Sequence, residues 1–268
     1  MVKASKKRIR ILMIVAVVAA FAVGLFRAFL LVNYIEPETG FYISGTGMET
    51  LFNISIGVVV AIIALLGFMT RKNLSPDYLD SKSTVVVFTS ALCAFMYISF
   101  FLYGLYSIVT VGGMSYFKIV EVMLCIPCCF NHISVCSNEV REKNTYHALL
   151  AMSEAVFFAV RVVEVFMDTK SQINVSQRSL ELIMLCAMMI FFLVESRFLV
   201  KSELTEEKSL SKYFMAGVAT VVFPLVAVIP YLAVSLFWCF ESQFVVMDVL
   251  DCCVMLFAAS RLLTLRFE

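Results

Sequence analysis

Twelve ionisable side chains lie inside stretches otherwise built from Leu, Val, Ile, Phe, Met and Ala, and they are where this sequence could do chemistry: Arg27, Lys118, Glu121, Glu154, Arg161, Glu164, Glu181, Glu195, Arg197, Asp248, Asp251 and Arg261. A charged group at mid-bilayer costs about 2.5–3.5 kcal/mol on insertion scales, so such residues face protein or a wet cavity. Paired charges can simply lock helices together, as Arg161 with Glu164 or Arg27 with an acid of a neighbouring helix would. A surplus carboxylate is different: it takes up a proton or meets water, and intramembrane acids of that kind are the usual parts of ion and proton pathways.

Spacing brings several of these groups onto common faces. Glu154, Arg161 and Asp168 recur every seven residues, about 20° of drift per step, with Glu164 beside the stripe. Asp248 and Asp251 are three apart and share a face. Lys118, Glu121, Cys125, Cys128 or Cys129, His132 and Cys136 form another stripe, and Pro127 within it is expected to kink the helix and free a carbonyl. Its cysteines and histidine also invite a metal reading. Thiolate and imidazole suit zinc or cuprous copper, and Cys128 or Cys129 with His132 could share an ion if a second helix, with Cys252 and Cys253, completed it. No paired C-x-x-C motif or ligand-bearing loop accompanies them, so no metal or other cofactor is assigned. His147, at a predicted helix start, is expected to hydrogen-bond at the interface.

The elements that must position these residues are membrane helices. The chain is 62% apolar and 15% charged over 268 residues, which excludes an ordinary soluble domain. Long apolar windows predict eight spans: 11–32, 51–69, 84–109, 117–136, 146–166, 180–200, 213–237 and 244–263. The fold class is therefore all-α, a polytopic helix bundle in a single domain, 1–268. Connections are too short for a soluble catalytic domain. With the N-terminus cytoplasmic, 16 of the 21 Lys and Arg residues fall on the inner side, which puts both termini inside. Trp238 would then sit in an outer aromatic belt. The first helix follows Lys3 to Arg10 and contains Ala20-Phe21-Ala22, a signal-peptide pattern; the apolar run continues past it, which favours an uncleaved anchor. Nine cysteines lie mostly within apolar stretches and read as free thiols.

This orientation places Arg27, Lys118, Glu121, Arg161, Glu164, Glu181, Asp248 and Asp251 in the outer half of the bilayer, with Glu154 near the middle. Five carboxylates against three cations make an acidic, outward-facing pocket. The charged fourth, fifth, sixth and eighth spans should face inward, and the uncharged second, third and seventh should face lipid. The loop after the first span, with Glu36-Pro37-Glu38-Thr39-Gly40-Phe41-Tyr42, reads as an interfacial anchor or a lid. Four spans per half also allow a parallel repeat of 1–137 and 138–268, because Phe117 to Cys125 echoes Phe244 to Cys252, with Glu121 matched to Asp248.

Glu-Pro-Glu-Thr-Gly-Phe-Tyr at 36–42, Val160-Arg161-Val162-Val163-Glu164-Val165-Phe166, Leu180-Glu181-Leu182 and Phe191-Phe192-Leu193 together resemble a recurrent, uncharacterised type of multi-pass membrane protein from anaerobic Gram-positive bacteria. The resemblance covers most of the chain. It implies the bacterial cytoplasmic membrane and no activity, and it singles out Arg27, Arg161, Glu164 and Glu181.

The sequence contains no H-E-x-x-H, G-x-S-x-G or P-loop, so no enzyme class and no direct ATP-driven transport is indicated. A net charge of +1 gives no reason to expect nucleic acid. Three functions remain. The first is a small-solute or ion carrier whose pocket holds Glu121, Arg161, Glu164, Asp248 and Asp251, one acid cycling a proton. The second is a membrane subunit for assembly or signalling, in a homo-oligomer or with another membrane protein, whose charges are structural. The third is an intramembrane metal or redox protein. In each case the surrounding partner is the lipid bilayer.

Overall fold

A computed structural model describes residues 6–35, 42–43, 45–70, 83–111, 115–137, 145–167, 175–199, 206–238 and 246–264. Asp168, Phe41, Cys239 and the Trp238 side chain, with the readings placed on them, lie outside the described residues. The helices are α1 (Lys6–Asn33), α2 (Met48–Thr70), α3 (Thr84–Val111), α4 (Tyr116–Ser137), α5 (Thr145–Met167), α6 (Val175–Leu199), α7 (Glu206–Ala227), α8 (Ile229–Trp238) and α9 (Val246–Thr264). Among the described residues there is no strand. Ile35 and Tyr42 form one isolated antiparallel bridge that closes the ends of the α1–α2 connection.

Among the described residues, six segments are long and apolar enough to cross a membrane: Ile11–Asn33, Met48–Thr70, Thr84–Thr110, Tyr116–Ser137, Arg178–Leu199 and Leu210–Val234. The last joins α7 to α8 across a one-residue turn at Val228, so it corresponds to a single sequence-predicted span. Pro224 and Pro230 explain the break, since each lacks the N–H that a continuous helix needs. The ladder resumes at once: Val228 N–H donates to Pro224 O at 2.9 Å and Leu232 N–H to Val228 O at 3.0 Å. Pro127, by contrast, leaves α4 helical from Tyr116 to Ser137. α5 and α9 are not among the six segments, and each carries three ionisable residues.

Six helices pack in a closed cycle, α3 on α4, α4 on α5, α5 on α6, α6 on α7, α7 on α9 and α9 on α3. α1, α2 and α8 flank the cycle on its α7 side. The two chain halves are thus used differently, α1 and α2 lying outside the cycle while α5 and α6 are members of it.

This packing corrects the lipid-facing assignment of the third and seventh spans: α3 is a member of the cycle and buries Thr89, Ser90, Cys93, Tyr97 and Phe100 in it. Leu210–Val234 is 67% buried, against 28% for Met48–Thr70. Burial inside a membrane bundle needs small side chains and close backbones, not charge. At Gly24 of α1, an added Cβ would sit 2.4 Å from Leu225 O, so only glycine lets α1 approach α7 this closely. Ser211, fourteen residues before Leu225 on α7, donates to Gly67 O of α2 at 2.9 Å.

Candidate functional site

The interior of the cycle is built from repeated faces. On α5, Glu154, Phe157, Phe158 and Arg161 are spaced to point the same way, and all four are buried. On α4 the stripe Glu121, Cys125, Cys128, His132 is buried throughout, as its spacing predicts. On α6 and α9, Phe192 with Glu195 and Phe257 with Arg261 complete the lining. Three polar levels result, separated by aromatic rings.

At the first level, Arg161 of α5 holds Asp251 of α9 with both terminal nitrogens. Nη2 donates to Oδ2 at 2.9 Å and Nη1 donates to Oδ1. Both side chains are at most 5% exposed, so the fork geometry of Arg–carboxylate pairing operates away from water. Lys118 donates to Glu121 Oε2 at 2.9 Å and lies 3.9 Å from Glu164 Oε2. Its ammonium also sits 5.0 Å from the centre of the Phe100 ring. Glu121 is fully buried, and its Oε1 has no donor among the described residues. Half-buried Glu181 and Asp248 lie within electrostatic reach of Arg161 and Asp251. Arg178 closes this end by donating to the Val165 and Phe166 carbonyls in the last turn of α5, where helix carbonyls lack internal donors.

The second level lies about 10 Å deeper along α5, seven residues from Arg161 at 1.5 Å each. Glu154 receives Asn131 Nδ2 on Oε1 at 2.6 Å, and His132 Nε2 is 3.1 Å from the same oxygen. Ser90 Oγ is 2.9 Å from His132 Nδ1 and 3.2 Å from the His132 carbonyl. All four side chains are buried. The imidazole is stacked on Tyr97 and meets Phe257 and Phe192 edge-on.

At the third level Arg261 of α9 donates to Glu195 Oε1 of α6 at 3.0 Å. Thr89 and Ser260 hydroxyls join α3 to α9 beside it at 2.9 Å. Between the first and third levels runs a stack of three rings. Phe158 and Phe192 are 5.8 Å apart and 6° from parallel, Phe192 and Phe257 6.2 Å apart and 7° from parallel. Each end is capped by an arginine, Arg161 5.7 Å from the Phe158 ring centre and Arg261 5.5 Å from that of Phe257, within range of cation–π attraction.

The structure brings Glu121, Arg161, Glu164, Glu181, Asp248 and Asp251 to one end of the cycle, with partners that the spacing did not indicate. Arg161 pairs with Asp251 rather than Glu164, whose nearest cation is Lys118. Arg27 is not part of this cluster. It lies 5.3 Å from the Phe52 ring centre, within electrostatic reach of Tyr42 and Tyr231, where α1 meets α2 and α8. Glu154 stands apart, one level deeper. His132, which the sequence offered as a candidate metal ligand without assigning a metal, has its nitrogens facing Ser90 and Glu154. Cys125 donates to the Glu121 carbonyl and Cys128 lies 3.8 Å from the Ser153 hydroxyl. Among the described residues, no group of three His, Cys, Asp or Glu side chains is arranged to hold a metal ion. The eight described cysteines are free thiols. His147 bonds Ser134 at 2.9 Å, joining α5 to α4.

Sequence reasoning missed the Glu154–His132–Asn131–Ser90 network and the Arg261–Glu195 pair as interior levels. A seven-residue step was available on α6 as well, since Glu181, Met188 and Glu195 recur at that interval.

The helix lengths and compositions, with most of the buried charge in the interior of the cycle, fit an integral, multi-pass α-helical membrane protein. Compared with known proteins, the chain matches no family model, no curated protein and no solved structure.

Proposed function

We propose that this protein is a membrane carrier of a small solute or ion, cationic in charge, which enters at the Glu164 end of the helix cycle. The observation that carries this reading is the surplus of acid there: five carboxylates, Glu121, Glu164, Glu181, Asp248 and Asp251, around Lys118, Arg161 and Arg178. A cation entering meets Asp251 already held by Arg161. Binding it requires Arg161 to release the carboxylate, which shifts α5 against α9 and disturbs the ring stack that Arg161 caps. The pair is thus the gate, and the rings beneath it close the path.

On this reading the chain has eight crossings, with α7 and α8 as one and α5 and α9 added to the six apolar segments, and both termini cytoplasmic, which the Lys and Arg distribution supports. That topology makes the acidic end the outer one. The resemblance noted above supports a bacterial cytoplasmic membrane as its location.

Reconstituted protein, exposed to a panel of monovalent cations and small amines on a solid-supported membrane, should give a transport current for one class of them. Asp251→Asn keeps an oxygen for Arg161 but removes the charge, so it should abolish the current while the protein still inserts and elutes as the wild type does. An unchanged current would overturn the carrier reading.

The pairing of both interior arginines favours one alternative, a non-transporting membrane subunit for assembly or signalling. That role would show as a partner, or a second copy of the chain, that co-purifies equally well with Asp251→Asn.

A further inference from the structure

We propose that His132 and Glu154 form a proton-holding site at mid-depth in the bundle, distinct from the acidic end, and that it is the site through which the carrier is coupled to protons. The coupling role rests on the carrier reading; the proton site does not.

Three features of the geometry support it. Glu154 is fully buried, and while Oε1 faces Asn131 Nδ2 and His132 Nε2, Oε2 has no donor among the described residues. One carboxylate oxygen is therefore uncompensated in a place where an ion without a partner is costly. The groups turned toward it from neighbouring helices are neutral in their ordinary forms: Tyr97 and Cys93 from α3, Cys128 from α4, with Cys253 of α9 next to Cys93. α6 and α9 present the Phe192 and Phe257 rings to the imidazole.

The third feature is Ser90, whose hydroxyl can serve the histidine in two protonation states. Without the extra proton, Ser90 O–H donates to Nδ1, and Nε2 lies 3.1 Å from Glu154 Oε1 without a hydrogen-bond partner among the described residues; the pair carries one negative charge. When a proton is added, both ring nitrogens carry hydrogen. The imidazolium then faces Glu154 Oε1 at 3.1 Å as an ion pair, Nδ1–H now donates to Ser90 Oγ, and the Ser90 proton turns to the His132 carbonyl 3.2 Å away. Asn131 donates to Oε1 in both states. One proton has been gained, the pair has become neutral overall, and every hydrogen bond in the network has an acceptor. A histidine held merely for structure needs only one of Ser90's two acceptors.

The test uses the full chain in lipid nanodiscs, with nitrogen-15 in both histidines. Proton uptake is counted with an indicator dye as the pH is lowered, and the imidazole nitrogens are read by NMR, with His147→Gln assigning the His132 signals. The expected result is that Glu154→Gln loses one bound proton relative to wild type, and that His132 moves from one protonated nitrogen to two over the same interval. Equal uptake by Glu154→Gln and wild type, or His132 signals that do not move, would overturn the proposal. If Glu154→Gln fails to fold, His132→Gln must lose the same proton. The two readings fail separately. A missing proton in a protein that carries no cation leaves this site standing and removes the carrier; a cation current indifferent to the pH gradient, with unaltered proton uptake, does the reverse.

Discussion

The two ends of the ring stack use the same device with different surroundings. At one end Arg161 binds Asp251 through two nitrogens and sits among four further carboxylates. At the other, Arg261 donates to Glu195 at 3.0 Å, beside the neutral Thr89–Ser260 hydroxyl pair. Both arginines lie over a phenylalanine ring and both pairs are buried. The fold therefore places a cation at each end of the stack, but only one end carries the excess of acid that a cationic solute would meet. That difference separates a latch from a gate.

The largest effects should come from breaking either pair. Asp251→Ala and Glu195→Ala each leave a buried arginine without its carboxylate, at a cost of about 3–5 kcal/mol. Removing both partners separates the two ends. Arg261→Met with Glu195→Leu should recover most of the stability lost in Glu195→Ala, and the current with it, because apolar pairs commonly replace buried ion pairs without loss. Arg161→Met with Asp251→Leu should recover stability and remain silent. Denaturant titration in detergent, paired with transport current, checks both. If the first double variant is also silent, the Arg261 end is part of the path and the distinction between latch and gate is lost.

The ring stack should respond next. Phe192→Leu keeps roughly the volume but removes four ring contacts, with Phe158, Phe257, Phe191 and His132, and should cost about 1–2 kcal/mol. Because Phe192 lies between Phe158 and Phe257, the loss should be felt at both arginines. A double-mutant cycle with Asp251→Asn and another with Glu195→Gln should then show similar coupling. Coupling to one end alone would mean that the arginines cap separate rings and not one stack.

Much of this interior was legible in the sequence because a charge in hydrocarbon has few places to go. The inward faces of α4, α5, α6 and α9, and the gathering of Glu121, Arg161, Glu164, Glu181, Asp248 and Asp251 at one end, follow from that cost and from helical spacing. Partner choice was not legible. Arg161 and Glu164 are neighbours on one helix, whereas the pairing with Asp251 depends on how α5 stands against α9, which spacing along one helix does not encode. The phenylalanine stack was hidden for another reason: a Phe suits lipid as well as a bundle interior, so Phe158, Phe192 and Phe257 look like any of the 25 phenylalanines. The central place of α7 was missed because no charge marks it, and its close contacts depend on the absence of side-chain atoms, as at Gly24. His132 looked like a ligand among cysteines because its true partners, Ser90 and Glu154, come from two other helices.

The smallest expected effect tests the quiet end by itself. Thr89 Oγ1 lies 2.9 Å from Ser260 Oγ, and it is also within reach of the Val85 and Val86 carbonyls of its own helix. Ser260 Oγ is 2.7 Å from the Phe257 carbonyl. Two hydroxyl protons therefore serve one bond between helices and one back to the chain, so the bond between helices competes with a local one. Thr89→Val keeps the shape and removes the hydroxyl, while Ser260 can still donate to Phe257. The loss should be about 0.6 kcal/mol, the average measured for hydrogen bonds between membrane helices, with no change in transport current. A loss of about 2 kcal/mol or more would mean that the hydroxyl pair fixes α3 against α9, and thereby positions Arg261, making that end more than a latch.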